Sequence, residues 1–241
     1  MSKESFSIDE IKATVRKQDA WWQALVVDPI AIRLTWLLIN YTSITPNQVT
    51  LLSFCVNVSA AWMFANNSLV FGGGLFFCAF LLDCVDGKIA RAKSLNGKLG
   101  QFVDVIADMF GHLIVICGLV YGQIKLHGID ECFVLLVIAY IGGKYILTYQ
   151  YLFEKELLGG GAKLQSESKI NVGRIAKFMS KYRMSIAPGS IDMDAIAFVI
   201  FPIFGAPLYG IMIATVGFLF LSMLRIMLTY RILLRNKNSG L

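Results

Sequence analysis

Charge is scarce in this chain: only 16% of its 241 residues are Asp, Glu, Lys or Arg, against 56% hydrophobic and a mean hydropathy of +0.65. So little charge spread over so apolar a sequence excludes an ordinary soluble domain and points to a polytopic membrane protein. The net charge of +6 would suit nucleic acid, but the basic residues flank the apolar runs, so no nucleic-acid partner is expected. Cysteine has no useful pattern: Cys55, Cys78, Cys84, Cys117 and Cys132 lack metal-ligand spacing and mostly fall inside apolar runs. They read as small buried residues and not as a disulfide framework. An apolar leader is missing too, because residues 1–17 are polar with no small-residue cleavage site; no signal peptide is expected. The sequence has no internal repeat and no low-complexity tract.

Against that background four acids stand out. Asp83, Asp86 and Ala90 are spaced i, i+3, i+7, so a helix carries them on one face. Gly100, Asp104 and Asp108, at i, i+4, i+8, form a second stripe on a second helix. Two carboxylate faces meeting at a water-lined cleft make an oxygen-rich site for hard divalent cations. Left unpaired in lipid, the four acids would repel one another, so the pattern asks for metal. Cys84 is expected to point away from the acid face.

The rest of the chain supplies the frame. Asp28-Pro29 reads as a cap followed by proline at the first helical position, and the run from Ile30 to Ile39 is too short to span a bilayer core of about 30 Å. With Trp21, Trp22 and Trp36 it fits a helix lying in the interface. Spans are expected over 45–66, 69–93, 97–122 and 132–153, then from near Ile191, and from Pro207 to Leu234. Gly72, Gly73 and Gly74 read as a close helix-packing surface. Asp83 lies fourteen residues after Leu69 and Asp108 fourteen before Gly122, so antiparallel neighbours would set the acids at similar depth. The fold expected is an all-α integral membrane protein: six transmembrane helices preceded by an interfacial juxtamembrane helix. Residues 1–44 are expected to form the polar N-terminus and that helix, 45–241 a six-helix membrane domain, and 154–189 a cytoplasmic loop within it. Within the loop, Ile170, Ile175, Phe178, Met179 and Tyr182 share one helix face, with Lys169, Arg174, Lys177 and Lys181 opposite, a pattern suited to an anionic membrane surface or to a solvated packing helix. Of the 22 Lys and Arg, only Lys125 falls in an expected external loop, which turns both termini and the acid cluster toward the cytoplasm.

The central stretch reads Asp, two residues, Asp-Gly, two residues, Ala-Arg, eight residues, Gly, three residues, Asp, three residues, Asp. It resembles the signature of the CDP-alcohol phosphotransferase family at every fixed position from Asp83 to Asp108. Thr45-Pro46-Asn47 resembles the Thr-Pro-Asn motif that opens the family's first span. The resemblance implies transfer of a substituted phosphoryl group from a CDP-alcohol to a hydroxyl acceptor, with release of CMP. It also implies two divalent ions, Mg²⁺ or Mn²⁺, with Asp83, Asp86, Asp104 and Asp108 as ligands and Asp108 as the base. Thr45, Pro46, Asn47, Asp83, Gly87, Ala90, Arg91 and Gly100 are implied to bind CDP. Small Gly87 and Ala90 would let the nucleotide approach the backbone, Arg91 offers a cation for phosphate, and Gly100 would let the two acid helices pack closely. A homodimer and a prokaryotic cell membrane are implied as well.

The donor alcohol is not written in the signature. The membrane setting favours CDP-diacylglycerol; a soluble CDP-alcohol with a polyol or polyol-phosphate acceptor is the alternative. Lys144, Arg174, Arg183 and Arg225 could surround a phosphorylated acceptor, although basic residues at this face also serve topology. Lys144 sits deep behind Gly142 and Gly143, where a cation needs a partner or water. His112 continues the Asp108 stripe by one turn and is a further acceptor candidate. A competing class is an intramembrane divalent-cation carrier or channel; it explains the acids but not Gly87, Ala90, Arg91 and Gly100.

Overall fold

A computed structural model describes residues 5–95, 97–157, 178–185 and 187–238. Arg174 and most of the expected basic amphipathic helix lie outside the described residues. The described elements are α1 (Ile8–Ala13), α2 (Gln23–Tyr41), α3 (Pro46–Ala65), α4 (Leu69–Ala92), α5 (Lys98–His127) and α6 (Glu131–Leu157). They continue with α7 (Ser190–Ala195), a π-helical turn (Ile196–Ile200), α8 (Phe201–Ile203) and α9 (Pro207–Asn238). Among the described residues there is no β-strand, only one isolated bridge between Asp19 and Met184.

Six helices, α2 to α6 and α9, are long and apolar enough to cross a membrane. Leu51, Val58, Trp62, Phe71, Phe102, Phe110, Leu135 and Phe220 are all exposed, a display that water would penalise and hydrocarbon accommodates. The chain is an integral, multi-pass membrane protein. The count of six agrees with the sequence expectation, but its membership differs: α2, expected to lie in the interface before the six, is one of them, and the segment from Ile191 is not. The juxtamembrane helix starts well before Ile30 and is 19 residues long. The segment expected to span from Ile191 is instead a single helical run only from Ser190 to Ile203, with a π-helical turn inside it, too short to cross a bilayer core of about 30 Å.

Asp28-Pro29 does not begin α2, because a π-helical turn over Gln23–Val27 carries the helix through it. The Asp28 N–H bonds to the Gln23 carbonyl, five residues back, and this wider turn accommodates a proline that has no N–H to give. The Asp28 side chain is thereby freed from capping.

The bundle is built on α3. Pro46 occupies its first turn, and Gln48 folds back so that its Oε1 accepts from the Thr45 N–H at 2.9 Å. Both α4 and α5 pack closely along α3, whereas α4 and α5 touch each other little. Sequence reasoning expected those two to be direct neighbours. Small residues on α5 explain the arrangement: Gly118 and Gly122 lie against the backbone carbonyls of Ala61 and Phe64 on α3. Gly72 sits under the Phe64 ring, and Gly73 approaches the Phe198 carbonyl, so two of the three α4 glycines form the expected packing surface. Gly74 meets nothing within 4 Å.

One core gathers Phe64, Phe76, Leu119, Tyr140, Phe198 and Phe218, with the 190–203 segment wedged between α4 and α9. A second joins Ile11, Val27, Ala31, Val49, Val85 and Ile89, tying α1 and α2 to the far end of α4. Gly122→Ala should therefore destabilise by about 1–3 kcal/mol, since its methyl meets backbone that cannot retreat. Gly74→Ala, with open space around it, should be neutral or gain up to about 1 kcal/mol of helix propensity. Thermal unfolding of both variants in detergent checks the contrast.

Candidate active site

The gap between α4 and α5 is where the acids meet. Oxygen atoms of Asp83, Asp104 and Asp108 all lie within 4.8 Å of one another, drawn from two helices that α3 holds side by side. Asp86 is buried at 4% exposure and sits one turn along α4. Its Oδ2 accepts from the Thr50 hydroxyl at 2.6 Å, which fixes the carboxylate's direction. The Oδ1 of Asp104 is buried with no hydrogen-bond partner among the described residues. A buried carboxylate oxygen without a donor is costly, and a cation removes that cost. The all-oxygen donor set suits a hard divalent ion such as Mg²⁺ or Mn²⁺.

A cavity of about 220 Å³ opens onto this cluster, and Asp83, Asp86, Gly87, Arg91, Asp104 and Asp108 all line it. A larger cavity of about 440 Å³ lies on the other side of Arg91, against Phe6, Glu10 and Thr14. It lacks the acids, so the smaller cavity carries the chemistry. A Cβ on Gly87 would lie 3.3 Å from the Arg91 guanidinium, so glycine gives that side chain room to lie along its own helix.

Several expected site residues lie off this wall. Thr45, Pro46, Asn47, Ala90 and Gly100 do not line the cavity. A Cβ on Gly100 would face Asn47 Oδ1 at 3.6 Å, so Gly100 adjoins the start of α3 and does not bring the acid helices together. Cys84 lines the cavity instead of pointing away, and its Sγ donates to Gln23 Oε1 at 3.2 Å. The reason is the N-terminal segment: Val15, Arg16, Asp19 and Gln23 form a further wall that the sequence did not announce.

That wall is anchored by charge. Asp28 is 1% exposed and takes Lys88 Nζ at 2.9 Å, Arg183 at 3.1 Å and Gln23 Nε2 at 2.9 Å. The Arg183 Nε also donates to the Arg16 carbonyl at 3.0 Å. Asp192 accepts from the backbone N–H groups of Trp21, Trp22 and Gly189, so one carboxylate caps the starts of two helices. Burial pushes the Asp19 carboxyl above its usual range, opposed by the Ala20 N–H and by Arg16 and Arg183.

One turn beyond Asp108 lies a second polar cluster. Lys144 Nζ reaches Asp194 Oδ2 at 2.7 Å and His112 Nε2 at 2.7 Å, while the Tyr140 hydroxyl donates to Asp194 Oδ1 at 2.6 Å. Thus Lys144 has the partner its depth demanded, and Asp194 is the residue the sequence left unassigned. Arg225 pairs with Glu154 at 2.7 Å, and Glu154 also accepts from Thr229. Lys144, Arg183 and Arg225 are therefore not gathered around one acceptor: each is held in a separate ion pair. Thr50 was missed as well; its only sequence signal is its place one turn after Pro46. Thr50→Val keeps the shape but removes the donor to Asp86, a bond to a charged group worth about 1.5–3 kcal/mol. We expect divalent-ion binding to weaken about tenfold, measured as the ion concentration needed for half-maximal thermal stabilisation.

The sequence matches the family model described as CDP-alcohol phosphatidyltransferase over residues 43–220. The archaetidylinositol phosphate synthase of Pyrococcus horikoshii is 29% identical over 118 residues, which is 49% of this chain and 58% of that protein. The chain thus matches little more than half the length of that relative. Two crystal structures of the Mycobacterium tuberculosis phosphatidylinositol phosphate synthase share the fold at 20% identity and a TM-score of 0.50. One, with manganese and citrate, is matched over 85% of this chain and 89% of that one; the other, with CDP-DAG bound, over 85% and 94%.

Proposed function

Because the chain belongs to the CDP-alcohol phosphatidyltransferase family, we propose that it moves a phosphatidyl group from CDP-diacylglycerol to a hydroxyl acceptor and releases CMP. The observation that carries this reading is the meeting of Asp83, Asp104 and Asp108 oxygens within 4.8 Å, with Asp104 Oδ1 lacking a hydrogen-bond partner among the described residues. Asp83, Asp86, Asp104 and Asp108 would hold two divalent ions, whose charge, when bound, neutralises the pyrophosphate and the departing CMP. Arg91, on the cavity wall beside the acids, gives a guanidinium to the donor phosphates. Thr50 keeps Asp86 aimed at the site through its 2.6 Å bond.

In the transfer itself, the acceptor oxygen attacks the β-phosphorus that carries the diacylglycerol. The bond from that phosphorus to the oxygen shared with CMP breaks, and CMP leaves with the electron pair. The acceptor's proton passes to Asp108, which is exposed at the cavity and flanked by the Lys144–Asp194 pair. The apolar exterior and the CDP-DAG bound by the structural relative support a lipid donor. The named relatives make inositol phosphate lipids, so polyols and their phosphates are the acceptors to try first. The lysine and arginine distribution supports an active site facing the cytoplasm, and the archaeal and bacterial relatives support a prokaryotic membrane.

Two measurements test this. Chelator-treated protein should lose CDP-diacylglycerol-dependent CMP release and regain it with Mg²⁺ or Mn²⁺; full activity without metal would overturn the metal-assisted reading. Asp108→Asn should lower single-turnover CMP release by about 10² to 10⁴, the usual loss for a missing general base. Donor affinity should stay close to wild type, since three acids remain. Lost donor binding would make Asp108 chiefly a ligand.

A further inference from the structure

Three locally unfavourable features converge on one carboxylate, that of Asp28. The π-helical turn over Gln23–Val27 is a rare form, and it leads into Asp28 with the side chain buried and free of any capping duty. Arg183, which donates to Asp28 Oδ2 at 3.1 Å, has a φ of 58°, a left-handed backbone that its side chain disfavours. Lys88, which meets Asp28 Oδ1 at 2.9 Å, is wholly withdrawn from water, both side chains being 2% exposed. So deep a pair recovers its lost hydration only in part, and apolar side chains of similar size often hold two helices as well or better. Stability alone does not account for this convergence, whereas its place in the fold does.

The carboxylate stands behind the acid-bearing turn of α4. Lys88 follows Asp83 by five residues and Asp86 by two, so it projects about 140° and 160° away from them around the helix. Thr50 holds Asp86 at 2.6 Å on the front, and Asp28 holds Lys88 on the rear, so the turn is gripped from opposite sides. Such a grip is needed because α4 and α5 touch each other little while oxygens of Asp83, Asp104 and Asp108 crowd within 4.8 Å. Like charges at that range drive the two faces apart. The remaining rear contacts of α4, Val85 and Ile89 against Val27 and Ala31, are apolar and without direction. A side chain reaches about 5–6 Å from the helix axis. Rotating α4 by about 20° would therefore move an acid about 2 Å, as far as the whole length of a metal–oxygen bond.

We propose that Asp28 and Lys88 are positioning residues of the metal centre. Their buried pair sets the rotation of α4 at which Asp83 and Asp86 face Asp104 and Asp108, and Arg183 and Gln23 fix Asp28 in turn. The proposal rests on the phosphotransferase reading above.

Binding of Mn²⁺ to the full chain in detergent, followed by the EPR signal of the free ion, tests it. Lys88→Met keeps the length and leaves Asp28 matched by Arg183. It should weaken Mn²⁺ about tenfold, the lower end of the usual loss when a group that orients a metal ligand is removed. A lysine serving only stability would lower the melting temperature and leave Mn²⁺ affinity unchanged, which overturns the inference. Asp28→Asn should weaken Mn²⁺ at least as much, and adding Lys88→Met to it should cost nothing further, since both act through one pair. Losses that multiply overturn the inference. At saturating Mn²⁺ the KM for CDP-diacylglycerol should match wild type; a raised donor KM with Mn²⁺ affinity intact would make Lys88 a substrate contact and also overturn it.

Arg183→Gln serves if the buried variants do not fold, because Arg183 is 32% exposed. It should weaken Mn²⁺ several-fold, and an unchanged affinity overturns the inference. Any of these failures, with metal-dependent CMP release by the wild type intact, leaves the phosphotransferase reading standing. A wild-type chain that neither binds Mn²⁺ nor releases CMP overturns both.

Discussion

A charged group placed among apolar helices must be paired, hydrated or bound to an ion, and that constraint organises this molecule. Three sets of basic side chains satisfy it through acids from distant parts of the chain: Lys88 and Arg183 on Asp28, Lys144 on Asp194, and Arg225 on Glu154. The cluster of Asp83, Asp104 and Asp108 does not, because like charges face one another and one oxygen has no donor among the described residues. Where Asp28, Glu154 and Asp194 have each found a cation in the protein, the cluster that has not is the place where a cation from outside belongs.

The backbone makes this cluster possible by keeping its two helices apart. Had α4 and α5 packed directly, their acids would have been pressed together without room for a substrate. Instead both lie along α3, and the close approach is moved to positions with nothing to lose from it, Gly118 and Gly122 against α3 carbonyls and Gly72 under Phe64. The same helix supplies Thr50 to hold Asp86. Packing and chemistry thus depend on one element, α3, whose polar face runs from Thr50 through Ser53 to Asn57 while its other side faces lipid.

What could be read from sequence follows from how local each feature is. The acid stripes were legible because helical periodicity alone puts Asp83 with Asp86, and Asp104 with Asp108, on shared faces. The demand of Lys144 for a partner was legible from depth, but the identity of that partner was not, since Asp194 is fifty residues away. Helix ends were harder: Asp28-Pro29 has the chemistry of a helix start, yet a π-helical turn lets the helix run through it. The short segment from Ser190 to Ile203 was read as the start of a full span because it is apolar beyond Asp192 and Asp194. It carries a π-helical turn and lies wedged between α4 and α9, a tertiary setting that no local pattern encodes.

The N-terminal wall shows the same constraint acting over the longest range. Residues 16 to 23 carry no motif, but their backbone is fixed at both ends of the cavity: the Asp19 N–H bonds to the Arg183 carbonyl at 2.9 Å, and Trp21 and Trp22 give their N–H groups to Asp192. Arg183 then extends from that junction to Asp28 beneath the acids, and Asp28 binds Lys88 within the signature helix. Lys88, at the variable position between Gly87 and Ala90, is in this way tied to Asp28 sixty residues earlier and, through it, to Arg183 nearly one hundred later. The acid helix is held in rotation by that network. A turn of α4 that carried Asp83 away from Asp104 would also pull Lys88 out of a fully buried ion pair, a cost of several kcal/mol, so the geometry of the metal-binding face is set as much by the cation behind it as by the acids on it.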